Sequence, residues 1–154
     1  MALFNIGKQT AEGARIEKFI EELTSKQINV GFNEKSGSYE DGTTTAQVAA
    51  WNEYGTERSP ARPFMRQTIE NNEDKITKFV NAKAGAAIKS GGSAAEVLNA
   101  IGAYTKGRMQ NEIRDGDFVP NAPSTIARKG SSKPLIDSAH MRQNVVYTIK
   151  EKGT

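Results

Sequence analysis

Residues 52–66 read NEYGTERSPARPFMR: one glycine, two prolines, three arginines and two aromatic rings between two segments of helical pattern. How this stretch is read decides the fold. Thr44 or Thr45 can cap a short helix from Ala46 to Tyr54, and Gly55 ends it in the left-handed conformation that glycine adopts without cost. Pro60, Ala61, Arg62 and Pro63 form an extended run, because a residue before proline avoids helical angles. Pro63 then suits the first position of a new helix, where its missing N–H costs nothing. The stretch is therefore a sharp corner between two helices. Trp51, Tyr54 and Phe64 are expected to pack there as core. Arg62 is expected to bond the carbonyls left free at the end of the first helix, or a carboxylate such as Glu53.

Downstream of the corner, Phe64, Thr68, Ile69, Ile76, Phe79, Val80, Ala84, Ala87 and Ile88 recur at helical spacing up to Lys89. Ser90, Gly91 and Gly92 break the chain. Ser93 and Glu96 then form a capping-box pattern ahead of Val97, Leu98, Ile101, Met109 and Ile113 on a second long helix. So short a connection makes the two helices an antiparallel pair. Asp115, Gly116 and Asp117 end the second one. Residues 118–134 hold three prolines and read as loop, residues 135–142 allow a short helix, and Val145, Tyr147 and Ile149 alternate as a closing strand.

Upstream, Ile16, Phe19, Ile20 and Leu23 mark one face of a helix over residues 10–25, and Ile28, Val30 and Phe32 alternate as a half-buried strand. Residues 33–42 carry two glycines, many polar groups and no period. They read as a loop, the tip of a long hairpin, too polar to bury enough surface to hold itself in place. The segment 34–43 is thus expected to be mobile or ordered by a partner, and replacing residues 36–38 to leave stability unchanged and affect only assembly. It is either an ordinary exposed loop or an assembly contact through Lys35, Tyr39 and Glu40. An early and a late strand with helices between them give one α+β domain over 1–154: a small antiparallel or mixed sheet packed against two long antiparallel helices plus shorter ones, with long loops. Residues 1–9 are expected to form a flexible N-terminal arm.

Composition narrows the function. In 154 residues, 36% are hydrophobic and 25% charged, which suits a thin core or surfaces covered only in an assembly. There is no cysteine and one histidine, which excludes thiolate sites and multi-histidine zinc sites. With 21 basic against 18 acidic residues, the net charge of +3 is mostly balanced solvation. No apolar run approaches the ~20 residues that span a bilayer, and the first residues lack the pattern of a secretion signal. Asp115 and Asp117 lack the later ligands of a calcium loop. His140, with Asp137 and Ser138 nearby in sequence, lacks a nucleophile-elbow pattern and reads as a local cap. No cofactor motif and no catalytic residue emerges, so the expectation is a non-enzyme. Arg58, Arg62 and Arg66 surround one turn and Arg128, Lys129 and Lys133 another. These clusters are candidates for contact with a neighbouring subunit or with DNA.

The order Val30-Gly31-Phe32, a Gly-rich loop, Ala46 to Ala50, Asn52-Glu53-Tyr54-Gly55-Thr56 and Pro60-Ala61-Arg62-Pro63-Phe64-Met65 resembles tail-completion and neck proteins of tailed bacteriophages. That group includes lambdoid putative tail components and is related to the minor tail protein Z group and Mu-type virion morphogenesis proteins. The run from Pro134 to Arg142, followed by a strand, looks like the family's ending. The resemblance covers most of residues 28–150. It implies a non-enzymatic virion component, made in the host cytoplasm, that forms a ring, commonly a hexamer, between head-closure or neck proteins and the tail tube. Neighbouring roles are a neck or minor tail protein nearer the head. From a different class, a small non-specific DNA-binding protein would use the two basic clusters.

Overall fold

The computed structural model describes residues 10–129, 135 and 139–153. The expected arm over 1–9, Lys133, Asp137, Ser138 and the side chain of Lys129 lie outside the described residues. The fold is mixed α+β: among the described residues there are six helices, two of them long and packed together, and a two-stranded antiparallel sheet.

Helix α1 (Ala11–Thr24) starts where the Thr10 hydroxyl accepts the Gly13 N–H at 3.0 Å, and it buries Phe19. Strand β1 (Lys26–Gly31) follows at once. Its partner is not a hairpin neighbour but β2 (Val146–Glu151), at the far end of the chain, with Ile28 opposite Ile149 and Val30 opposite Tyr147. The hairpin expected around residues 33–42 is therefore absent. Lys26 and Glu151 also pair as ions at the open end of the ladder.

Helix α3 (Phe64–Ser90) and helix α4 (Ala94–Asp115) run antiparallel, as their reversed pairings show. Asn71 donates to Glu112 at 3.1 Å near one end, and the Phe79 and Tyr104 rings stack 4.1 Å apart further along. Ser93 caps α4 by accepting the Glu96 N–H at 3.1 Å. Helix α4 is the spine. Its first half joins Ala94, Val97 and Ile101 to Phe19 and Ala87 in one apolar cluster. Its second half joins Met109 and Ile113 to Ala49, Phe64, Leu135, Met141 and Val145 in another. The sheet lies so close to α4 that a Cβ on Gly102 would stand 2.3 Å from the Tyr147 ring.

Two loop expectations are corrected. Residues 118–134 are not all loop: α5 (Pro123–Lys129) sits within them, with Pro123 at its first position and the Ala122 carbonyl accepting the Ile126 N–H at 3.0 Å. Residues 34–43 are not left to a partner for order. Glu34–Ser36 forms a 3-10 turn closed by a reciprocal capping box between Asn33 and Ser36, and Ser36 is fully buried. The Tyr39 N–H bonds the Thr43 carbonyl at 2.8 Å, and the Thr45 N–H bonds the Gly37 carbonyl at 3.0 Å. Polar groups that bond one another can be buried where apolar surface is lacking, and this is why the polar composition misled.

Candidate functional site

Helix α2 (Thr45–Tyr54) begins with a capping box between Thr44 and Gln47. Its buried stripe is Thr45, Ala49 and Glu53, spaced four apart. Trp51 and Tyr54 lie off that stripe and are 51% and 75% exposed, so neither is the core residue expected. Phe64 is: it is fully buried and meets Phe32 edge to face at 5.9 Å between ring centres.

The corner is built around a charge. Glu53 is 2% exposed, and its two carboxylate oxygens accept the backbone N–H groups of Met65 at 2.8 Å and Arg66 at 3.3 Å. Those are orphan donors of the first turn of α3, so the last turn of one helix caps the start of the next. Arg66 completes the arrangement, its Nε donating to the same carboxylate at 3.0 Å and Nη2 to the Glu53 carbonyl at 3.4 Å. Of the two partners expected for Arg62, the Glu53 carboxylate is thus Arg66's instead, while a carbonyl at the end of α2, that of Asn52, does bond Arg62, through its backbone N–H.

Backbone geometry makes this possible. Gly55 adopts φ 78° and ψ 172°, not the left-handed helical conformation expected but an extended one with positive φ that is essentially closed to other residues. A Cβ there would sit 2.8 Å from the Ala61 nitrogen. Pro63 is one position earlier than expected, just outside α3. At φ −78° and ψ 63° it centres an inverse γ-turn, in which the Phe64 N–H bonds the Arg62 carbonyl at 2.8 Å.

Arg62 turns the other way. Its backbone N–H reaches the Asn52 carbonyl at 2.6 Å, Nε donates to the Val119 carbonyl at 2.9 Å and Nη2 to the Pro120 carbonyl at 3.4 Å. Burial lowers the pKa of this guanidinium from its ordinary value, and an arginine remains cationic under such burial. It lines a cleft of about 510 Å³ with Arg58, Arg128 and Trp51. The two basic turns seen separately in the sequence are thereby joined, while Arg66 leaves the cluster to serve Glu53. Sequence reasoning could not have joined them, because the link is the short helix α5 that the prolines disguised.

Of the proposed loop contacts, Lys35 and Glu40 are exposed, and the Tyr39 ring lies 4.4 Å from the ring of His140. His140 opens helix α6 (His140–Gln143), and its Nε2 is 3.0 Å from the Thr45 hydroxyl. That hydroxyl has one hydrogen, shared between the carbonyls of Ser36 at 2.7 Å and Gly37 at 3.0 Å, which leaves the hydroxyl oxygen to accept from Nε2 in the tautomer that protonates it. This histidine braces the 34–43 loop against α2. Asp115 pairs with Arg114 at 2.8 Å. Among the described residues, no group of three or more His, Cys, Asp or Glu is placed to hold a metal ion, and no helix is long and apolar enough to cross a membrane.

Comparison of the chain with protein-family models, curated proteins and solved structures finds no match.

Proposed function

We propose that the chain is a structural virion protein of a tailed bacteriophage: a tail-completion or tail-terminator subunit that forms a ring, caps the tail tube and joins it to the head and neck. The reading draws its family from the resemblance of the corner motif. The structural observation that carries it is the corner's outer face, where α2 offers Trp51 and Tyr54 to solvent and Trp51 lines a cleft with three arginines. Exposed aromatic rings next to arginine are the composition of protein–protein contact centres. The groups with chemical potential are meanwhile spent on architecture: Glu53 on α3, His140 on Thr45 and Asp115 on Arg114.

A closed ring needs unlike patches that meet around its circumference. In this reading one face of the corner meets the next subunit, and the ends of the ring meet tail tube protein and neck proteins. Electron microscopy of particles assembled with the gene disabled tests it. DNA-filled heads beside unattached tails, with tails of irregular length, are the expected result. Normal, infectious virions would overturn it.

A further inference from the structure

Three guanidinium groups reach one cleft from three places: Arg58 from the turn after α2, Arg62 from the extended segment before α3, and Arg128 from α5. No carboxylate among the described residues lines that cleft. Three other arginines meet a carboxylate, Arg15 on Glu12, Arg66 on Glu53 and Arg114 on Asp115, while Arg108 lies over the Tyr104 ring and Arg142 keeps a buried Nε without a partner. The cleft differs in gathering three arginines at one place with no carboxylate partner among the described residues. Among the described residues, no hydrogen bond or ion pair holds the side chain of Arg58 or Arg128, and Arg62 bonds only neutral carbonyls.

We propose that this cleft is an oxyanion site that binds the carboxylates of an acidic segment of a partner protein. Arg62 is the fixed element. It is 8% exposed and already tied at Nε and Nη2, so little side-chain freedom is lost when an anion arrives. Arg58 and Arg128 are exposed and supply planar forks that match a carboxylate with two parallel hydrogen bonds. Trp51 gives the segment an apolar wall, and tryptophan with arginine is the pairing that dominates interface hot spots.

Duplex DNA fits less well. A duplex is held by basic groups spread along its length, about six to ten phosphate contacts, whereas this cleft gathers three cations at one concave point. The inference stands on the cleft alone and holds whichever assembly the chain enters, so its failure and that of the virion reading are separate events.

Trp51 is the only tryptophan, so its emission reports on the cleft. The test titrates the full chain with a capped octaglutamate peptide at about 0.15 M salt, where long-range attraction is screened. Parallel titrations use inorganic phosphate and a duplex of about 20 base pairs, long enough for the contacts an extended site would make. A saturable change with the peptide is expected, weakened about tenfold or more in an Arg58→Ala/Arg128→Ala variant and only partly restored in Arg58→Lys/Arg128→Lys, which keeps the charge but not the planar fork. Both side chains are exposed, so the thermal midpoint is expected to stay unchanged and to show that the variants fold. A flat peptide titration, or equal binding by the alanine variant, overturns the proposal. Tighter binding of the duplex through the same two arginines assigns the cleft to nucleic acid instead. Phosphate as effective as the peptide reduces it to an adventitious ion only, and overturns the proposal too.

Discussion

Glu53 is a charged residue placed where an apolar one would ordinarily sit, on the buried stripe of α2, and it is kept there because two backbone donors and one guanidinium need it. Glu53→Ala leaves the first turn of α3 uncapped, with an expected loss of about 2 kcal/mol in a urea unfolding experiment. Arg66→Ala should lose less than half of that, because Arg66 is largely exposed and water screens its share. Equal losses would mean that the ion pair, and not the cap, carries the effect. Phe64→Ala is expected to cost about 3–5 kcal/mol, or about 10 °C in thermal midpoint. The role of Phe64 was legible because helical spacing marks a buried face. Those of Trp51 and Tyr54 were not, since α2 is only ten residues long and its buried stripe is small and polar instead of aromatic.

At the scale of elements, both long helices and both strands were legible from period and caps. Ser93 begins α4 as its N-cap, without the reciprocal bond from Glu96 that a capping box needs, and Thr10 begins α1. What stayed hidden was order made by hydrogen bonds, which leaves no periodic trace. The 33–44 segment is fastened by a capping box, by backbone pairs and by the Thr45 hydroxyl on the Ser36 carbonyl. Thr45→Val keeps the shape but strands the His140 nitrogen and a buried carbonyl, with an expected cost of about 1–3 kcal/mol and faster amide exchange across residues 36–45. No change in exchange would return the loop to the mobile class. Within it, the Thr43 N–H on the Asp41 carboxylate at 2.9 Å holds that group below the usual aspartate range. Its small contribution is present above the unfolded pKa and lost as pH falls through the folded one. An NMR titration of Asp41 with an ordinary midpoint would contradict the bond.

For the whole molecule, the antiparallel helix pair and the small sheet followed from the order of the elements, but the cleft did not. It depends on Arg58 and Arg128 meeting across some seventy positions of sequence, and no local pattern encodes such a meeting. The sheet sets a stricter condition, because among the described residues each strand has only the other as partner and both lie on α4. Deleting residues 146–153 is expected to abolish the cooperative thermal transition, since β1 then has no ladder and the surface over Gly102 is uncovered. A variant that still melts sharply would show that the helices fold without the sheet.

The pairing of Gly31 with Val146 also fixes when the protein can be finished. A ribosome adds about 5–20 residues per second, so the first strand waits roughly 6–23 s for a partner that has not been translated. During that interval a nascent chain carries an unclosed strand edge and an α4 not yet roofed by β2, the kind of surface that sticks to other chains. The sheet is therefore completed only after β2 has been made.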